Sequence, residues 1–257
     1  MNCQLVKRLF WVLNLHYEHA ISHIQEEDGI IGSIIGDALL AVFGTVPSEA
    51  NKTVHAVRAG YFIQEVAGRL REQMYKKREE IIQQRGALTE TEEGVYRAVL
   101  LEVGVGIDGG SVFYGNIGSS RRMTNTVIGD NVNSASRLEG LTRVYKVPMV
   151  VSEYAKDELV GNSDEYRVVE LDQVFVKGKT EGKRVYWPVQ ATQIDDDFSK
   201  DIDAFSKGLQ YYYEGQWTRA LSWFEKCTLP LAEEFRSRTS DGPKPRNWNG
   251  IWTMTTK

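Results

Sequence analysis

Arg121-Arg-Met-Thr-Asn-Thr-Val-Ile-Gly-Asp-Asn-Val-Asn-Ser-Ala-Ser-Arg-Leu-Glu-Gly-Leu141 is the stretch whose reading decides the fold. It predicts a short strand over residues 126–128, a Gly-Asp turn, and then a helix opened by Asp130 or Asn131, both residue types that cap helix N-termini well. Within that helix Val132, Ala135, Leu138 and Leu141 recur every third position and make an apolar stripe for a core. Asn133 and Arg137 stand four apart on one face, turned away from much of that stripe. An amide and a guanidinium one turn apart beside a strand end can clamp a phosphate or a developing oxyanion. Taken alone, the pair reads first as a solvated helix face, since charged helix faces are usually just wet.

The whole phrase Thr126-Val-Ile-Gly-Asp-x-Val-Asn-x-Ala-Ser-Arg-Leu-Glu139 resembles the signature of the class III nucleotidyl cyclase catalytic domain, the family of adenylate and guanylate cyclases. Further matches follow the family's order: Ile-Gly-Asp-Ala-Leu-Leu-Ala-Val-Phe-Gly at 35–44, Gly-Asn-Ile-Gly at 115–118 and Val-Lys-Gly-Lys at 176–179. The resemblance implies an α+β fold, a ferredoxin-like α/β sandwich, over residues 1–192. A small C-terminal α-helical appendage, with its linker and tail, follows over 193–257.

Composition excludes several classes. With 31 basic against 35 acidic residues and a net charge of −4, no basic surface argues for nucleic acid. Cys3 and Cys227 are too far apart in sequence to suggest a disulfide framework or a metal knuckle. The longest apolar runs fall far short of the ~20 residues a membrane helix needs. Lys7 and Arg8 do not lead into a signal-peptide core. These features predict a cytoplasmic chain, tethered to a membrane only by a region upstream of it.

In chain order, residues 4–27 predict an amphipathic helix. His16, His19 and His23 share a face of it and raise a metal site that no cysteine or carboxylate at ligand spacing completes. Two β-rich runs, 29–35 and 38–43, meet at Gly36-Asp37, a hairpin turn signal. A helix is expected over 50–71, then a charged helical insertion over about 72–97 with a loop near Gly86. Strands are expected at 98–107, 111–117, 148–152, 166–177 and 184–189. Gly104-Val-Gly-Ile-Asp-Gly109 imitates the dinucleotide fingerprint, but Ser111-Val-Phe-Tyr114 is no helix start to receive a pyrophosphate. Lys177-Gly-Lys-Thr180 imitates the end of a P-loop, but Gln173 stands where its first glycine belongs.

Carried onto this sequence, the resemblance implies attack of a ribose 3′-hydroxyl on the α-phosphorus of ATP (or GTP), with pyrophosphate leaving. It implies two Mg2+ or Mn2+ ions per site and a groove between two cyclase domains, here a homodimer. Asp37 matches a metal-binding aspartate, and Asn133 and Arg137 match the pair that orients the ribose and stabilises the transition state. Lys177 matches a phosphate-binding lysine, and Arg121 or Arg122 another phosphate contact. Thr126 and Ser33 fall at the two base-reading positions. Ser33 replaces a charged residue there, and a hydroxyl gives a weaker donor or acceptor bias. The family's first strand, with a Phe-x-Asp-Ile-x-Gly-Phe-Thr-like segment and the other metal aspartate, has no counterpart before Leu5. By this resemblance the domain is N-terminally truncated and its two-metal site has one protein carboxylate.

Phe205, Gly208, Leu209, Tyr212, Gly215, Trp217, Ala220 and Phe224 resemble one tetratricopeptide-type hairpin. A single repeat cannot bury its own face, so it docks on the cyclase domain or on a protein partner. The tail from Asp241 resembles endings that follow bacterial cyclase domains. Two functions stay open: an adenylate cyclase making 3′,5′-cyclic AMP for signalling, and a catalytically inactive cyclase-homology module that regulates or dimerises. A pure helical-repeat adaptor is disfavoured because the repeat is single.

Overall fold

Gly36 adopts φ +65 in the turn that its position predicts. In the computed structural model, which describes residues 3–45, 51–100, 102–175, 182–240 and 244–253, that turn joins two antiparallel strands. The elements run α1 (Cys3–Glu26), β1 (Ile30–Ile35), β2 (Ala38–Val42), α2 (Lys52–Arg85), α3 (Glu90–Val99), β3 (Val105–Ile107), β4 (Phe113–Ser119) and β5 (Arg122–Ile128). They continue with α4 (Asp130–Tyr145), β6 (Met149–Ser152), α5 (Glu153–Asn162), β7 (Tyr166–Phe175), β8 (Lys183–Gln190), α6 (Asp196–Tyr213), α7 (Trp217–Phe224), α8 (Ala232–Ser240) and β9 (Trp252–Thr253). The fold class is α+β, with one mixed five-stranded sheet in the order β3-β6-β8-β7-β9 and two separate hairpins, β1-β2 and β4-β5.

Two compact units divide the chain: Met1–Val103 with Asn116–Thr126, and Gly104–Gly115 with Val127–Lys257. In the first, α1 packs on α2 and α3, burying Val12, Ala20 and Ile24 on one side and Val54, Val57 and Val66 on the other. The helix expected over 50–71 and the charged helical run expected after it form one element that ends at Arg85, with the break at Gly86 where a loop is expected. Asn51 caps its start by accepting from the Thr53 amide, and Gly86 at φ +81 ends it. Surface pairs such as Glu72–Lys76 (2.7 Å) support its solvated second half. Residues 98 and 99, read as the start of a strand, close α3 instead. Thr89 and Glu92 form a reciprocal capping box that nucleates that helix, and among the described residues of the expected strand only Val105–Ile107 pair.

In the second unit the sheet is covered by α4 on the strength of close backbone approach. A Cβ on Gly106 would lie 2.2 Å from both the Ala135 carbonyl oxygen and the Glu139 amide nitrogen. The glycines of the false fingerprint therefore serve helix–sheet packing. One hydrophobic cluster runs from Leu138, Tyr145, Leu171 and Val189 in this α/β part to Phe205, Tyr212, Phe224 and Phe235 of α6–α8. The C-terminal helices dock on the sheet, and a Cβ on Gly208 would meet the Phe224 ring at 2.6 Å, so α6 and α7 close on one another there.

Candidate functional site

The β1–β2 hairpin carries two of the candidate residues. A register shift between Ile31 and Ser33 places a bulge before the half-buried Ser33, which pairs with Leu40. Asp37 stands exposed at the tip beside Gly36. The Tyr17 hydroxyl donates to the Gly36 carbonyl at 3.1 Å, tying α1 to the tip. Burial, and then the negative charge of Asp37, push the Tyr17 phenol up. Asp37 itself makes no hydrogen bond or ion pair among the described residues. Sequence reasoning did not single out Tyr17, because nothing in its local spacing marks it as the neighbour of a turn two elements away.

The β4–β5 hairpin carries the next group. Arg121 is exposed in its turn and its amide donates to Ser119 Oγ at 3.3 Å. Arg122 opens β5, and its side chain lies outside the described residues. Thr126 is half-buried, followed by a buried Val127.

The chain passes from β5 through Gly129 into α4, which belongs to the second unit. Gly129 occupies the cap position with no side-chain hydrogen bond, so the expected Asp130 or Asn131 cap is displaced by one residue. Asp130 instead falls in the first turn, where its charge complements the helix dipole. Ser134, Leu138, Leu141, Thr142 and Tyr145 face the sheet, which leaves Asn133 and Arg137 exposed together on the opposite side. Neither has a hydrogen bond or ion pair with another described residue. An unpaired guanidinium in the company of an unpaired amide is a ready anion clamp. Lys177 lies outside the described residues.

The α1 histidines do other work. His16 is buried, and burial, then His19, lowers its pKa. His23 stacks on Phe62 with centroids 3.7 Å apart and meets Glu26 at 3.0 Å. Among the described residues no group of three or more His, Cys, Asp or Glu side chains is placed to hold a metal ion. No described helix is long and apolar enough to cross a membrane.

With this geometry in place, comparison decides the family: the profile of the adenylate and guanylate cyclase catalytic domain matches residues 4–190. The chain belongs to that family. Among curated relatives it is 27% identical over 226 residues to the terminal-differentiation-specific adenylate cyclase of Dictyostelium discoideum, covering 87% of this chain and 10% of that protein. It is 34% identical over 164 residues to an adenylate cyclase of Anabaena cylindrica, covering 63% of this chain and 28% of the relative. The chain thus spans only a minor part of the length of either relative. Among solved structures it superposes on the adenylyl cyclase CyaB from P. aeruginosa with a TM-score of 0.55 at 23% identity, over 74% of this chain and 85% of that one. The guanylyl cyclase Cya2 gives a TM-score of 0.52 at 23% identity, over 73% and 82%. The mixed α+β arrangement is therefore the nucleotide cyclase catalytic fold, and residues beyond 190 lie outside the matched domain.

Proposed function

We propose that this cyclase-family domain converts ATP to 3′,5′-cyclic AMP and pyrophosphate, working as a homodimer in signal transduction. The observation that carries the reading is the pair Asn133 and Arg137, exposed on α4 directly after β5 and without a side-chain partner among the described residues. In this reading Arg137 donates to phosphate oxygens as charge develops at the α-phosphorus, and Asn133 orients the ribose. Arg121, Arg122 and Lys177 contact the triphosphate, while the Thr126 and Ser33 hydroxyls meet the base edge.

Asp37 suits a hard cation, being an exposed carboxylate with no competing partner among the described residues. Mg2+ is commonly held by one or two carboxylates with substrate phosphates and water completing its shell, so a single aspartate fits such an ion better than it fits a two-metal cage. When bound, Mg2+ or Mn2+ would supply charge neutralisation and activation of the hydroxyl. A second copy of the domain is supported by apolar side chains left exposed on the two hairpins, Phe113 at 82%, Ile35 at 63%, Met123 at 58% and Ile117 at 52%.

The test is cyclic nucleotide formation by the purified chain with ATP and with GTP, each in Mg2+ and Mn2+. Turnover of ATP should fall about 10²–10³-fold in Arg137→Ala, the usual loss for one transition-state donor. In Asp37→Ala it should lose its metal response. A GTP preference would make this a guanylate cyclase. A folded chain with no turnover under any of these conditions would leave the regulatory-module reading in its place.

A further inference from the structure

The far end of α4 is gripped by a helix that lies outside the matched family domain. Asp172, at the bulge of β7 between Glu170 and Asp172, is fully buried. Its Oδ2 accepts from the Tyr145 hydroxyl of α4 at 2.8 Å and from Arg238 Nη1 of α8 at 2.6 Å, and its Oδ1 accepts from the Gln173 amide at 2.7 Å. Arg238 Nε bonds Glu234 at 2.8 Å, and its guanidinium lies over the Trp252 ring at 4.4 Å. Burial pushes the Asp172 carboxyl up, while Arg238 and Tyr145 counter it. The Tyr145 ring also stacks on Phe235 of α8 at 6.1 Å, and Lys146, the left-handed cap of α4, pairs with Glu233. Three independent contacts thus hold the C-terminus of α4 to α8 and β7.

We propose that α8 is a positioning brace for α4, and that Arg238 and Glu233 act on turnover through the placement of Asn133 and Arg137. The inference rests on the cyclase reading above. Arg137 stands eight residues before Tyr145, about 12 Å up the helix at about 1.5 Å per residue. A tilt of roughly 5° about the gripped end therefore moves it by about 1 Å, and a misplacement of that size can cost about 10²-fold in rate. A buried charge pair is a poor source of net stability but a strict geometric joint, since each partner tolerates few alternatives. Its placement at the end of the helix carrying the anion clamp gives that joint a function.

The test uses Asp172→Asn with Arg238→Met, which leaves no buried charge unpaired, and separately Glu233→Lys, which touches only the surface. Each is read for thermal melting, for hydrogen exchange of α4 amides, and for kcat and KM separately. The core double variant should exchange faster along α4 and lose at least about 10-fold in kcat with KM for ATP held within about threefold, as a shifted transition-state donor requires. Glu233→Lys should lose about two- to fivefold, the scale of an exposed pair, and Lys146→Glu added to it should restore kcat. Folded variants with α4 exchange and kcat unchanged would overturn the brace. Should the core variant fail to fold, the Glu233→Lys loss and its rescue by charge swap decide the matter alone. Should the wild-type chain make no cyclic nucleotide, the function fails while the exchange data still judge the brace: faster α4 exchange upholds it and unchanged exchange sinks it.

Discussion

Substituting Gly106 by alanine would drive a methyl group into the backbone of α4. The added Cβ would sit 2.2 Å from the Ala135 oxygen and the Glu139 nitrogen and 2.9 Å from Glu139 Cα. These are main-chain atoms, so no rotamer change relieves the clash. Ordinary contact needs about 3.4 Å, and helix and sheet must part by about 1 Å, a gap that forfeits a quarter to a half of the dispersion well for side chains on both sides. Leu138, Leu141 and Tyr145 are buried across that seam. Overpacking of this kind costs about 1–3 kcal/mol, and the upper end applies because the obstacle is backbone. The backbone entropy recovered on replacing glycine returns about 0.4–1 kcal/mol, leaving a net loss of about 2–3 kcal/mol. At about 2–4 °C per kcal/mol for a unit of this size, the melting temperature of the second unit should drop about 4–12 °C by circular dichroism. Gly140→Ala in the same helix is the control, because no atom lies within 4 Å of its added Cβ. It should gain about 0.5–1 kcal/mol. A Gly106→Ala protein melting within 2 °C of wild type, measured to about that precision, would refute the packing argument.

Three further outcomes follow from the same reasoning. Thr89→Ala removes the capping box whose bonds run from the Glu92 amide to Thr89 Oγ1 at 3.3 Å and from the Thr89 amide to Glu92 at 3.0 Å. It should cost about 1 kcal/mol and speed amide exchange over α3, and unchanged exchange would contradict the cap. Burial pushes the Cys227 thiol up to about 11 and the Tyr186 phenol up to about 12, so the folded state favours both protonated forms. Their contribution is complete below the unfolded values of 9 and 10 and is lost as pH rises through 11 and 12, so urea midpoints should fall between pH 9 and 12. A midpoint flat across that window would contradict it. Arg238→Ala strands Asp172 as a buried carboxylate and should cost about 3–5 kcal/mol in urea melts, against a smaller loss when Asp172→Asn accompanies it. Equal losses would show that packing, not charge, holds the joint.

Much of this arrangement was legible locally. Gly36-Asp37 between β-rich runs marked the hairpin tip, and the three-residue apolar repeat oriented α4 so that Asn133 and Arg137 share its wet face. Misreadings came where two local signals competed. The β-branched run after Ala98 suggested a strand, while the Thr89-x-x-Glu92 box upstream carried α3 through Val99. By contrast, the charge density of the second half of α2 reads as a helical extension with a break near Gly86, and one helix, lined by i,i+4 pairs, does run to Arg85 there. The Asp172–Arg238 joint had no local signal at all, because its partners are 66 residues apart and each looks like an ordinary surface charge.

Strand β9 adds a constraint of timing. Val174 and Phe175 of β7 pair with Trp252 and Thr253. During synthesis at about 5–20 residues per second, these partners are made roughly 4–16 s apart. For that interval the end of β7 presents backbone amides and carbonyls without their β9 partners, an edge open to pairing with a neighbour on the same polysome.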